Sequence, residues 1–114
     1  MWLFTETGFI SAVRHRDQPG HMMVRARDKE SLETLAAISA SDITKTPTAD
    51  YPYRTVVSDN DLTTFMNIAV DTLDYDNFKS RVAVSRGYDY AHALMAVWSA
   101  MHDVEDVKAR QRSA

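Results

Sequence analysis

Apolar and polar side chains alternate along residues 21–27, and this period of two constrains the fold more than any other feature. Met22, Val24 and Ala26 alternate with Met23, Arg25 and Arg27. Successive side chains of a β-strand point to opposite faces, so the pattern predicts a strand with one buried face. An apolar run at residues 9–15 precedes it, and the turn formers of residues 17–20 lie between the two. The sequence therefore predicts a β-hairpin.

The second half of the chain changes to helical periodicity. Ser58, with an acidic side chain at Asp61, has the spacing of a helix N-cap, and apolar residues follow at helical intervals. Asp28, Asp74 and Asp89 are predicted to cap three further helices, and Gly87 is predicted to end the third helix in chain order. A second hairpin is predicted from residues 43–46 and 51–57. Together these elements predict an α+β fold of two layers, in which three to four helices cover an antiparallel sheet of about four strands.

The N-terminal residues 2–4 allow two interpretations. They form either a short extra strand or the start of the first strand, with a bulge marked by Gly8. The length of 114 residues is that of one domain. We expect a single α+β domain over residues 1–107 and a frayed polar tail over residues 108–114.

The last predicted helix carries an apolar stripe, with Trp98 at its middle. Such a stripe is typical of a helix face that packs on a core, so we expect Trp98 to be buried. Tyr88 and Met95 lie off this stripe and are candidates for a partner or dimer surface. The stripe consists of Tyr90, Leu94, Val97, Trp98, Met101 and Val104.

Composition excludes several kinds of chemistry. The chain has no Cys, which rules out thiolate nucleophiles, iron–sulfur clusters and Cys-based zinc sites and favours a reducing compartment. Its apolar runs are shorter than a membrane helix requires, and residues 1–20 lack the pattern of a signal peptide. We therefore expect a cytoplasmic protein with no membrane partner.

No motif predicts a cofactor, a metal or a catalytic residue. The sequence beginning at Asp59 resembles a calcium loop, but Thr64 and Val70 stand where that loop needs Gly and Glu. Only three glycines are present, and none is near another, so a phosphate-binding loop is absent. An enzyme using His102, or the group Asp76, Asn77 and Lys79, is the third hypothesis for function.

Binding residues are predicted mainly on the first hairpin. The arginines of residues 13–27 outnumber the single acid there, and Arg14, Arg25 and Arg27 are expected to share one face of the sheet. Asp76, Asn77 and Lys79 form a second candidate site. The leading hypothesis is a non-enzymatic module that binds either a different protein or a second copy of itself. The alternative is nucleic-acid binding through the arginines, against which stand the net charge of −3 and the presence of Phe9 as the one aromatic residue of that hairpin.

Five short sequences spread over the chain support a resemblance. They are Met1-Trp2-Leu3-Phe4-Thr5, Gly8-Phe9, Val24-Arg25-Ala26-Arg27, Tyr75-Asp76-Asn77-Phe78-Lys79 and Val97-Trp98-Ser99-Ala100-Met101. Together they resemble a family of small uncharacterised proteins of bacteria and their phages. The resemblance implies a protein of the bacterial or host-cell cytoplasm and suggests a phage product that binds a host protein. It transfers no functional residue.

Overall fold

The computed structural model describes the backbone of residues 1–113 and the side chains of residues 1–107 and 111. The chain divides into two compact units, Met1–Tyr75 and Asp76–Ala114, where the sequence predicts one domain. Each unit is described by itself below.

The first unit contains a five-stranded antiparallel sheet with the strand order β1-β2-β3-β5-β4. Helices α1 and α2 belong to the same unit, and the α+β fold predicted from the sequence is confirmed. Of the two interpretations of residues 2–4, the extra strand is the one observed, because β1 pairs with β2 along its length. The elements are β1 (Trp2–Thr5), β2 (Gly8–Arg14), β3 (His21–Ala26), α1 (Glu30–Ser39), β4 (Thr44–Lys45), β5 (Tyr53–Ser58) and α2 (Asp59–Asp71).

Strand register divides the sheet into two faces. Ala12, Val24 and Thr55 are neighbours across β2, β3 and β5, and all three are buried. We call the side of the sheet that carries them the inner face. Its apolar residues form one core with residues of α1 and α2, and this core supplies the hydrophobic stabilisation of the unit. The core consists of Ile10, Ala12, Val24, Ala26, Leu32, Leu35, Val57, Leu62 and Phe65.

Side-chain caps define where the helices of the first unit begin. The backbone N–H of Asp61 donates to Ser58 Oγ over 3.1 Å, which confirms the predicted cap of α2. The N-cap position of α1 is Lys29, which makes no side-chain cap bond. Asp28, predicted as the cap, lies one residue earlier, and its Oδ1 accepts the N–H of Ser31 over 3.1 Å, so it satisfies an amide of the first turn. Helix α1 ends at Ala40, whose φ of 50° is left-handed.

The second unit is a pair of helices, α3 (Phe78–Arg86) and α4 (Tyr88–Ser113), that pack against each other. The prediction that Asp74 caps α3 is wrong, because Asn77 Oδ1 accepts the N–H of Ser80 over 2.9 Å. Gly87, with a φ of 94°, ends α3 as predicted. Helix α4 continues as backbone helix to Ser113, through most of the predicted tail, and residue 114 lies outside the described residues.

In the second unit, burial is strongest in the middle of α3 and at the start of α4. Val82 of α3 and Ala91 of α4 are fully buried. By contrast, every residue from Ala96 to Val107 is exposed, and Trp98 retains 59% of its accessible surface. The expectation that Trp98 is buried is therefore wrong. An apolar stripe shows that a helix can bury one face, but it does not show which element covers that face.

Candidate functional site

The sheet face turned away from the inner face carries the most distinctive group of side chains. We call it the outer face. Alternation along each strand assigns residues to it, because Trp2 pairs with Ser11, Phe4 with Phe9, and Arg25 with both Ser11 and Arg54. Its members are Trp2, Phe4, Phe9, Ser11, Val13, Met23, Arg25, Arg54 and Val56. The outer face thus combines aromatic rings from β1 and β2 with arginines from β3 and β5.

Three aromatic rings lie together at the β1 edge of the outer face. The rings of Phe4 and Phe9 are stacked with centroids 4.5 Å apart, and Trp2 meets Phe9 edge to face at 5.6 Å. Such ring pairs contribute about 0.5–1.5 kcal/mol beyond their area burial. Trp2 nevertheless remains 67% exposed. The cluster therefore holds Trp2 in a defined orientation while leaving most of its surface available.

Tyr51, in the loop before β5, joins the aromatic cluster to the arginines. Its ring lies 6.4 Å from Phe9 and is almost fully buried. The guanidinium carbons of Arg25 and Arg27 lie 4.6 Å and 4.3 Å from the Tyr51 centroid, both within cation–π distance. Arg27 also forms an ion pair with Asp50 at 3.1 Å. Tyr51 thus fixes two cationic side chains beside the aromatic rings.

Positive charge is concentrated on this part of the outer face. Arg25 and Arg54 are direct cross-strand neighbours, a pairing of like charges that is unfavourable in an isolated sheet. One guanidinium nitrogen of Arg25 donates to Ser11 Oγ over 3.0 Å. The buried Nε of Arg25, however, has no acceptor among the residues that the structure describes. The arrangement favours an anionic group placed against these arginines.

Arg14 does not belong to this group. It pairs with Met22, whose side chain packs against the core of the inner face, so the alternation of β2 directs Arg14 to the inner side of the sheet. There it forms an ion pair with Asp59 at the first residue of α2, with an N–O distance of 2.5 Å. The expectation that Arg14, Arg25 and Arg27 share a face is therefore wrong for Arg14.

The other predicted site residues lie in the second unit. Asn77 is the N-cap of α3, which accounts for its position, and Asp76 and Lys79 are exposed on either side of it. His102 Nδ1 lies 3.6 Å from a Glu105 carboxylate oxygen on the surface of α4. These residues thus lie at the start of α3 and on the surface of α4, in two separate places of the second unit.

A groove with mainly apolar walls also lies in the first unit. It has a volume of about 430 Å³ and lies between the β1–β2 turn and the second half of α2. Phe65, Met66 and Leu73 are among its apolar walls, and Glu6 and Tyr75 are its titratable residues. It lacks the arginines that distinguish the outer face, so it is the less distinctive candidate for recognition.

Neither a cluster of metal ligands nor a helix able to span a membrane is found in the described part of the chain. No group of three or more His, Asp or Glu side chains there is placed to hold a metal ion. Within the same residues, no helix combines the length and the apolar character needed to cross a membrane.

Sequence reasoning missed Tyr51 and the position of the β1 aromatics. The isolated hairpin contains Phe9 alone, so the sequence predicts no stacking platform, whereas pairing of β1 brings Trp2 and Phe4 onto the same face. The aromatic residues at alternate positions 2 and 4 are the signal that identifies this face once β1 is recognised as a strand.

Neither a family model, nor a curated protein, nor a solved structure matches the chain.

Proposed function

We propose that this protein is a non-enzymatic interaction module whose outer sheet face binds another protein. The observation that carries the proposal is the joint placement of Trp2 and Phe4 with Arg25 and Arg27 around Tyr51. Trp, Tyr and Arg are the residue types that most often dominate the binding energy of protein interfaces.

Preorganisation supports this choice of surface. Phe9 holds the ring of Trp2, and Tyr51 holds the guanidinium groups of Arg25 and Arg27, before any partner arrives. Ordering a flexible side chain on binding costs about 0.5–1.5 kcal/mol, so side chains that are already fixed lose less on association. The same contacts make these residues poor candidates for catalysis, because none of them brings an acid and a base together.

The arginines indicate the chemistry of the partner. Arg25 and Arg54 are adjacent, and a partner carboxylate placed between them relieves their repulsion. An acidic protein surface with an apolar patch for Trp2 therefore fits the outer face. The partner that we propose is a host bacterial protein with such a surface.

Single-stranded nucleic acid is the second candidate, favoured by the exposed rings of Trp2 and Phe4. Sheet-type RNA binders stack bases on such rings and contact phosphates with nearby arginines. Charge disfavours this candidate, because residues 1–75 contain eleven Asp and Glu against seven Lys and Arg. A protein with that excess repels a polyanion at long range.

The proposal is tested by affinity capture from bacterial lysate with the parent and with Trp2→Ala, followed by calorimetry with each purified candidate partner. We expect at least about a tenfold loss of affinity for Trp2→Ala, the effect typical of an interface anchor. Val84→Ala is the matched control, since Val84 is 82% exposed on α3 and lies outside both the outer face and the groove. Equal affinity of Trp2→Ala and the parent for every captured protein contradicts the proposal.

Salt titration separates the two candidates. Binding of a short fluorescent single-stranded oligonucleotide is followed by anisotropy at increasing salt. Nucleic-acid recognition predicts tight binding that weakens linearly on a log–log scale as phosphate counterions are displaced. Oligonucleotide binding of this kind, lost in Trp2→Ala, would make nucleic acid the partner of the outer face.

A further inference from the structure

The second half of α4 has no packing partner among the described residues of its own unit. From Ala96 to Val107 all residues are exposed, which amounts to more than three turns. Isolated helices shorter than roughly 12–15 residues are marginal in water, because their stability in proteins comes from packing of an apolar face. The ring contact of Trp98 with His102, at 4.2 Å, is a local pair one turn apart and does not cover that face. Its own unit therefore leaves this half of α4 without the packing that usually stabilises an amphipathic helix.

The spacing of its apolar residues indicates what kind of surface. Leu94, Val97, Met101 and Val104 recur at intervals of three, four and three residues. That is the a/d pattern of a seam between two helices, in which each side chain enters a gap on the facing helix. A helix that packs broadly on a sheet or a membrane surface does not require apolar residues at alternating intervals of three and four.

The available area matches a self-association interface. Val97, Trp98, Met101, Val104 and Val107 retain between 38% and 61% of their accessible surface. Together they present roughly 400–500 Å² of apolar surface per chain, taking typical side-chain areas. A standard interface covers about 800 Å² per partner, of which somewhat more than half is apolar. One copy of this stripe against another supplies that apolar share.

Charge along the helix favours an antiparallel pair. Asp103, Glu105 and Asp106 are exposed and would lie at the same height as their copies in a parallel pair. In an antiparallel pair with Val97 opposite Met101 of the second copy, these acids instead lie opposite residues 92–95. That segment contains no Asp or Glu, so the repulsion between like charges is smaller. The opposed helix dipoles also favour this direction.

We propose that the protein forms a homodimer in which α4 pairs antiparallel with α4 of a second copy along the seam from Leu94 to Val104. This inference is independent of the proposed function of the outer face, because it involves no residue of the first unit. The dimer would present two outer faces to partners and increase their combined affinity for a repeated target.

Light scattering coupled to size-exclusion chromatography tests the dimer over a range of protein concentrations. We expect the parent to approach twice the single-chain mass of 12.9 kDa at high concentration. Met101→Lys places a charge at the centre of the seam and is expected to raise the dimer dissociation constant at least about tenfold. Met101 is 61% exposed in the single chain, so this substitution leaves the fold intact by circular dichroism.

Val84→Lys is the matched control. Val84 is 82% exposed on α3 and lies off the seam, so the same change from an apolar to a charged side chain should leave the dimer intact. A parent chain that keeps the single-chain mass at every concentration overturns the proposal. Equal dissociation by Met101→Lys and Val84→Lys also overturns it.

Disulfide crosslinking tests the direction of the pair, because the natural chain has no Cys. Val97→Cys mixed with Met101→Cys should form a crosslinked heterodimer under oxidation, since a disulfide requires Cα atoms about 4.4–6.8 Å apart. Each variant alone should crosslink poorly. Efficient crosslinking of each variant with itself would overturn the antiparallel arrangement in favour of a parallel one.

Discussion

The two units of this protein use apolar residues in different ways. In the first unit, Leu32, Leu35 and Val24 are fully buried between the sheet and two helices. In the second unit, α4 carries a comparable apolar stripe, yet Trp98 and Met101 in it are mostly exposed. The difference teaches that hydrophobic periodicity identifies a helix face that can be buried, whereas the elements packed around that face decide whether it is buried.

The largest expected effect breaks the first unit. Leu35→Ala removes a fully buried side chain from the core and leaves a cavity, so we expect a loss of about 2–5 kcal/mol in the free energy of unfolding. Urea denaturation followed by circular dichroism measures this loss. Val70→Ala, an exposed position on α2, is the control and should change stability by less than about 0.5 kcal/mol. Similar midpoints for the two variants would show that Leu35 is not part of a tightly packed core.

An intermediate effect compares one helix cap from each unit. Ser58→Ala and Asn77→Ala each remove a side chain that accepts a first-turn amide, and each should cost about 0.5–2 kcal/mol of local or global stability. Hydrogen exchange measures where the loss falls. We expect faster exchange of α2 and the sheet in Ser58→Ala, and of α3 and α4 in Asn77→Ala. Uniform acceleration over both units in either variant would contradict the division of the chain into two units.

The smallest expected effect concerns Trp98. Because Trp98 is exposed, Trp98→Ala should change the stability of the single chain by less than about 0.5 kcal/mol, measured at a concentration below that of self-association. Burial of Trp98, as its place in the stripe predicts, would instead cost about 3–5 kcal/mol. A loss of that size in dilute protein would mean that the fold itself covers this part of α4.

Local sequence signals predicted much of the fold. The turn formers at residues 17–20, the cap at Ser58 and the break at Gly87 all act on the backbone of their own or closely following residues, so their effect depends little on the rest of the chain. The cap of α3 was misassigned because Asp74 and Asn77 both have side chains that suit an N-cap. Nothing in the nearby sequence decides between two such residues.

The candidate site depended on information that is not local. Alternation assigns Arg25 and Arg27 to one side of their strand, but the face occupied by Arg14 follows from the pairing register set by the long turn between β2 and β3. The position of Tyr51 depends on how the loop before β5 folds over the sheet. The face of Arg14 and the position of Tyr51 are both set by tertiary structure. The alternation of residues within a single strand predicts neither of them.

The placement of the two tryptophans has a practical consequence for spectroscopy. The chain contains only Trp2 and Trp98, and both are more than half exposed. Unfolding should therefore shift their fluorescence emission very little, which makes this common probe of denaturation insensitive for this protein. In a Trp98→Phe background, emission would come from Trp2 alone, so a blue shift on adding a partner would report contact at the outer face without any attached dye.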